Sequence, residues 1–358
     1  MDNIEKIKKL KEEKNAIILA HYYVDEEVQK IADYIGDSFY LAKVASQTDA
    51  DRIVFAGVEF MGESAKILNP EKKVFMPDAF ADCPMAHMIT IKEIKEMKEK
   101  YEDLAVVCYI NSTAEIKQYA DVCVTSSNAV KIVKALPQKN IFFIPDQNLG
   151  DFVRRQVPEK NVITNYGHCP RHTNITLEKL NEAKEKYPEA KVAVHPECKR
   201  EIVEAADFVG STSAIIDYVV QSDAKDFIIG TVDGVFAKIK ELVPNKELHT
   251  IMDVQVCPNM KKVTLEKILD VLENETNEVI LNDEFMQKAL SPLEKMLELS
   301  KKCSSGFPFL RTDWYEINGR VYFSEFTFYS DAGMEPFYPE KWDKILGSWI
   351  TLPDTAIK

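Results

Sequence analysis

Glycine is scarce in this 358-residue chain, with 12 residues, and proline adds only 16. So small a share excludes a collagen-like fibre and a long disordered segment. No apolar run approaches the ~20 residues that carry a helix across a bilayer, so no membrane association is expected. The opening stretch, MDNIEKIKKLKEEKN, reads as a charged helix without the apolar centre of a signal peptide, which points to a cytoplasmic protein. Positive charge is also in deficit. Lys and Arg number 45 against 58 Asp and Glu, a formal net charge of −13, so no nucleic-acid partner is expected. Finally, there is no C-x-x-C pair, which removes the zinc-ribbon, ferredoxin and thioredoxin readings. What remains is globular composition, 46% hydrophobic and 29% charged, with chain enough for two or three domains.

Seven cysteines are present: Cys83, Cys108, Cys123, Cys169, Cys198, Cys257 and Cys303. An odd number without a secretion signal does not read as a disulfide framework. Cys108 and Cys123 lie in apolar runs and read as small buried hydrophobes. Cys83, Cys169 and Cys257 share another context, each followed by proline (CPM, CPR, CPN) at spacings of 86 and 88 residues.

That regularity extends along the chain. Offsets of 88 and then 86 carry the apolar run ending in His21 onto AVVCYIN and VAVHPE. They set Tyr109 and His195 opposite His21, and Asn111 and Glu197 opposite Tyr23. Ala32-Asp33 falls on Ala120-Asp121 and Ala206-Asp207, and Ser38 on Ser126 and Thr212. Further runs follow: RIVFAG, NIFFIP and DFIIGT, then KVFMP, NVITN and LHTIM. Between them lie amphipathic stretches such as EEVQKIADYI (26–35), with Val28, Ile31 and Ile35 at helical spacing. Short strands alternating with helices predict parallel sheets, in three small α/β layers rather than an eightfold barrel. Ser112-x-x-Glu115 reads as a capping box opening a helix in the second unit.

The polar residues of the repeat all fall at the C-terminal ends of predicted strands, the edge where open α/β sheets bind ligands. A pseudo-threefold arrangement would bring three cysteines, three hydroxyls and several acid–base groups to one point. Zinc accepts three thiolates plus water. An iron–sulfur cluster with three cysteines keeps one iron without a protein ligand, a Lewis acid for carboxylate or hydroxyl. Ser38, Ser126 and Thr212 suit carboxylate or phosphate, and Tyr23, Tyr109, His195 and Glu197 are candidate acids and bases.

HYYV (21–24), ADYIGDS (32–38), GVEFMGESAKIL (57–68), PDAFADCPMA (77–86), YINSTAE (109–115), TSSNAV (125–130), HPEC (195–198), GSTSAII (210–216) and CPNMKK (257–262) together resemble the quinolinate synthase family, from the first helix to about Leu299. The resemblance implies three α/β/α domains (1–85 with 258–300, 86–171 and 172–257) around a [4Fe–4S] cluster held by Cys83, Cys169 and Cys257. It implies condensation of iminoaspartate with dihydroxyacetone phosphate to quinolinate, on the de novo route to NAD, with an aspartate-oxidising enzyme as the supplier of iminoaspartate. Substrate contacts would be His21, Ser38, Tyr109, Asn111, Ser126, His195, Glu197 and Thr212, with Ser211 and Thr212 at a helix start for an anion. Glu197, His195 and Tyr23 would carry proton transfer. Val24, Asn165 and Asp233 depart from the family pattern. A non-enzymatic iron–sulfur sensor is the alternative, disfavoured by the substrate-shaped polar lining.

Ser291-Pro292-Leu293-Glu294 reads as a helix start that runs to about Leu299. Beyond it, 307–350 holds all three tryptophans and an Asn318-Gly319 hairpin signal. This segment (301–358) resembles the end of polysaccharide-biosynthesis ATP-grasp proteins, with Asp313 and Glu325 matching magnesium ligands. About 55 residues cannot supply two nucleotide-clamping lobes, so a fused, non-catalytic tail with a β-hairpin is expected, its aromatics packed away from water.

Overall fold

The computed structural model describes residues 2–304, 311–317 and 320–327. The chain forms two compact units, Met1–Leu299 and Ser300–Lys358.

In the first unit, the described residues form three four-stranded parallel sheets. The first contains β1 (Ala16–His21), β2 (Tyr34–Gly36), β3 (Arg52–Ala56) and β4 (Lys73–Phe75). The second contains β5 (Leu104–Tyr109), β6 (Val122–Val124), β7 (Asn140–Ile144) and β8 (Asn161–Thr164). The third contains β9 (Lys191–Val194), β10 (Phe208–Val209), β11 (Asp226–Gly230) and β12 (Glu247–Thr250). Each repeats one spatial order: β2-β1-β3-β4, β6-β5-β7-β8 and β10-β9-β11-β12. Helices such as Ser38–Gln47 and Glu59–Leu68 fill the crossovers that parallel pairing requires.

One polar device recurs in all three sheets. Asp33, Asp121 and Asp207 accept from the backbone N–H of Ile18, Val106 and Val192 at 2.8, 2.7 and 2.8 Å. Their own N–H groups donate to the carbonyls of those same residues at 2.9 Å in every case. This reciprocal clasp sets the second strand of each sheet beside the first. It also ends the preceding helix early. The helix expected over 26–35 stops at Ile31, and Ile35 lies in β2 instead.

Two other expected helix starts are corrected. The cap after β5 is Thr113, whose side chain accepts from Ile116 N–H, while Ser112 Oγ donates to the Tyr109 carbonyl at 2.9 Å. Ser291 begins nothing: one helix, Asp283–Ser304, runs through Pro292. An interior proline costs about 3 kcal/mol. Ala289, Leu293 and Met296 are fully buried at helical spacing, and each large side chain contributes about 1.5–3 kcal/mol. Packing therefore outweighs the proline.

The first two sheets share one continuous apolar core. The third has a core on each face. Val192, Val194 and Ile228 belong to one, and Ala193, Phe227 and Ile229 to the other, the period-two alternation of a doubly covered strand. No helix among the described residues is long and apolar enough to cross a membrane.

In the second unit, β13 (Arg311–Ile317) and β14 (Arg320–Thr327) pair antiparallel, as the hairpin signal predicts. Asn318, Gly319 and 328–358 lie outside the described residues, as does the expected packing of the tail aromatics.

Candidate active site

The strand ends of the first unit surround a cavity of about 850 Å³, open mouth included. Of the thirteen residues singled out in the sequence, twelve line it. The first repeat gives His21 at the end of β1 with Tyr23 beyond it, Ser38 after β2 and Cys83 after β4; the second gives Tyr109, Asn111, Ser126 and Cys169. The third gives His195, Glu197, Thr212 and Cys257. Ser211 does not line it; its side chain caps the helix Thr212–Gln221, accepting from Ala214 N–H.

Local structure explains how the cysteines are presented. Cys83 and Cys169 precede the short helical turns Pro84–His87 and Pro170–Thr173, where proline at the first position sacrifices no hydrogen bond. The Cys257 carbonyl accepts from Lys261 N–H at 3.1 Å, closing a third turn. All three side chains are partly exposed and none is in a disulfide, whereas Cys108, Cys123 and Cys198 are buried elsewhere in the core.

Glu197 is the electrostatic centre. Tyr109 donates its hydroxyl to Oε1 at 2.6 Å, and His172 Nδ1 lies 2.7 Å from Oε2. Burial pushes this carboxyl up, but the hydrogen bonds from His172 and the Tyr109 hydroxyl pull it down further, so it is held ionised. His172 continues the network: its Nδ1 is 3.2 Å from Cys169 Sγ and its Nε2 is 2.9 Å from Thr231 Oγ1. Thr231 Oγ1 is 2.7 Å from the Tyr23 hydroxyl, which is 3.0 Å from Thr212 Oγ1. Burial, reinforced by Glu197, raises both the Tyr23 and Tyr109 phenols, which therefore stay protonated.

The equivalent turns of the first and third repeats give their histidines one tautomer. His21 Nδ1 accepts from Tyr23 N–H at 3.2 Å, and His195 Nδ1 from Glu197 N–H at 3.3 Å. The neutral ring then carries its proton on Nε2, which in His195 lies 3.2 Å from Ser126 Oγ. Burial lowers both imidazoles to about 3, despite the pull of Glu197. At neutral pH Glu197 is thus ionised, while His21 and His195 are neutral. Asn111 Oδ1 is buried there without a hydrogen-bond partner, a position ready for a ligand.

The donor set fits a soft metal group. Burial pushes the Cys83 thiol up to about 12 and raises Cys169 and Cys257 as well. The Cys257 charge acts on Cys83 and that of Cys83 on Cys169, so the three sulfurs share one electrostatic neighbourhood. Only a bound cation would make all three thiolates together. Ligand atoms of Cys169, His172 and Glu197 also lie within 4.8 Å of one another.

The family model described as NadA, quinolinate synthetase A protein, matches residues 5–298. The chain belongs to the quinolinate synthase family. A quinolinate synthase of Fusobacterium nucleatum subsp. nucleatum is 60% identical over 296 residues, covering 83% of this chain and 99% of that protein. Those of Sulfurihydrogenibium sp. and Aquifex aeolicus are 53% and 51% identical, each over 83% of this chain and over 98% and 94% of the relative. Val24 and Asn165, two of the departures expected from the sequence, do not line the cavity, whereas Val232, standing where an acid was expected, does.

His172 and Thr231 were not singled out in the sequence, yet they join Glu197 to Tyr23. The signal available was CPRH, a histidine three residues after a Cys-Pro cysteine in a chain with six histidines. The neutral histidines also make a prediction about stability. Their folded pKa lies below the unfolded value, so protons bind the unfolded chain first and stability falls as pH drops below about 6.5. Between pH 7 and pH 5, His21 and His195 should each cost about 2 kcal/mol. Denaturant melts across that range check it. His195→Asn should flatten the slope, and an unchanged slope would contradict a buried neutral ring.

Proposed function

We propose that this chain condenses iminoaspartate with dihydroxyacetone phosphate to give quinolinate, phosphate and water, with a [4Fe–4S] cluster held by Cys83, Cys169 and Cys257. The observation that carries the reading is the meeting of twelve residues from three repeats around a single cavity in a chain of this family. The three sheets are read as three domains, 1–85 with 258–300, 86–171 and 172–257. An aspartate-oxidising enzyme is the class of partner that would supply iminoaspartate. The segment 301–358 is read as a fused ATP-grasp-like remnant without a catalytic part.

When bound, the cluster supplies an iron without a protein ligand, a Lewis acid toward a hydroxyl or carboxylate oxygen. The chain's own residues do the rest. Ser38, Ser126 and Thr212 donate to substrate carboxylates from three directions, with Asn111 and the neutral His21 beside them. Glu197 takes up protons. In the empty cavity its carboxylate is a weak base, and a dianionic substrate alongside it raises its proton affinity toward the working range. Tyr109 holds one Glu197 oxygen, and the His172–Thr231 pair lets Tyr23 exchange protons with the other. Burial excludes water from an imine that hydrolyses readily.

The test is direct. Purified without oxygen, the full chain should be brown and form quinolinate from the two substrates. A colourless protein that forms none would contradict the reading.

A further inference from the structure

We propose that Arg171 is the phosphate anchor of the site, holding the phosphoryl group of the triose substrate at the seam of two adjoining cavities; this rests on the reaction proposed above. Both substrates of that reaction are anions, approaching a chain of formal charge −13 and a cavity whose centre is the ionised Glu197. A fixed positive charge suits two anions, and the neutral His21 and His195 do not supply one. Arg171 is the one lysine or arginine among the described residues lining the cavity. It also lines a second cavity of about 420 Å³, which shares His172 and Val232 with the first and is walled by Asn174, Thr231 and Gln255.

Its pairing sets it apart. Arg52, Arg154, Arg155 and Arg200, the other arginines of the first unit, each meet a carboxylate. Among the described residues, no ion pair or hydrogen bond holds the Arg171 side chain, and the residue is exposed. Its charge nevertheless reaches the site, where it opposes the effect of burial on the Cys257 thiol.

Phosphate suits this position better than carboxylate does. A guanidinium matches a tetrahedral dianion bidentately and is always charged. The hydroxyls and amides at the strand ends are neutral donors, adequate for carboxylates that stay in the product. An exposed cation beside a second polar cavity suits a group that must be released. An unpaired cation at the mouth also raises the local concentration of anionic substrates.

The experiment uses full-length, cluster-loaded Arg171→Ala and Arg171→Lys. In Arg171→Ala the KM for dihydroxyacetone phosphate should rise about 10- to 100-fold, the effect of losing a charged hydrogen-bonded pair. The KM for iminoaspartate should stay within about twofold, and Arg171→Lys should fall between. Competitive inhibition by inorganic phosphate should weaken by the same factor as triose phosphate binding. Visible absorbance and melting temperature should match the unsubstituted protein, since the side chain is exposed. An unchanged KM for dihydroxyacetone phosphate, or equal rises for both substrates, would overturn the assignment. If the unsubstituted protein forms no quinolinate, the reaction reading fails by itself, and calorimetry with inorganic phosphate decides the role of Arg171. Binding that Arg171→Ala abolishes supports the anchor; equal heats, or none in either protein, refute it.

Discussion

Cys169→Ala should lose the visible chromophore of anaerobically loaded protein and at least about 100-fold of its quinolinate-forming activity, more than removing a hydrogen bond to a metal ligand usually costs. Cys83→Ala and Cys257→Ala should behave alike, because the three cysteines are equivalent in the repeat and line the same cavity. Cys108→Ala is the control. It lies fully buried in β5, paired in register with Cys123 and away from the cavity, so it should keep both chromophore and turnover. Absorbance spectra and iron content of the four variants check this. Equal behaviour of Cys169→Ala and Cys108→Ala would sink the ligand assignment. Loading should also release protons, since these thiols, raised to about 12 at Cys83, must ionise on binding metal.

Glu197→Gln should lower kcat by about 10²- to 10⁴-fold, the range of a lost general base, with the chromophore intact. Glutamine keeps the size and accepts the Tyr109 hydroxyl, so the cavity should hold its shape. A Glu197→Gln protein that turns over normally would remove the carboxylate from the chemistry. Tyr23→Phe should be milder: it breaks the bridge between Thr231 and Thr212 but leaves Tyr109 and His172 on Glu197.

Most of this site was legible because the repeat constrains it three times over. Offsets of 88 and 86 carry β3 onto β7 and β11 residue for residue, and they place His21, Tyr109 and His195 at equivalent strand ends. His172 escaped for the opposite reason. The residues three after each Cys-Pro cysteine are Ala86, His172 and Met260, all buried, so self-comparison reads the position as core. Two of the three helix errors share a cause, since local patterns were outweighed by contacts distant in sequence. The clasp between Asp33 and Ile18 ended one helix, and the core against Leu293 carried another through Pro292. Ser211 looked like an anion contact because helix starts bind anions, but its side chain caps its own helix and does not line the cavity.

Diffraction from the oxygen-free holoprotein at the iron absorption edge tests the whole account most directly. It should show a single metal centre bonded to the sulfurs of Cys83, Cys169 and Cys257, with one face toward Glu197 and Asn111. A lone ion held by Cys169, His172 and Glu197, with the other two sulfurs unligated, would contradict it.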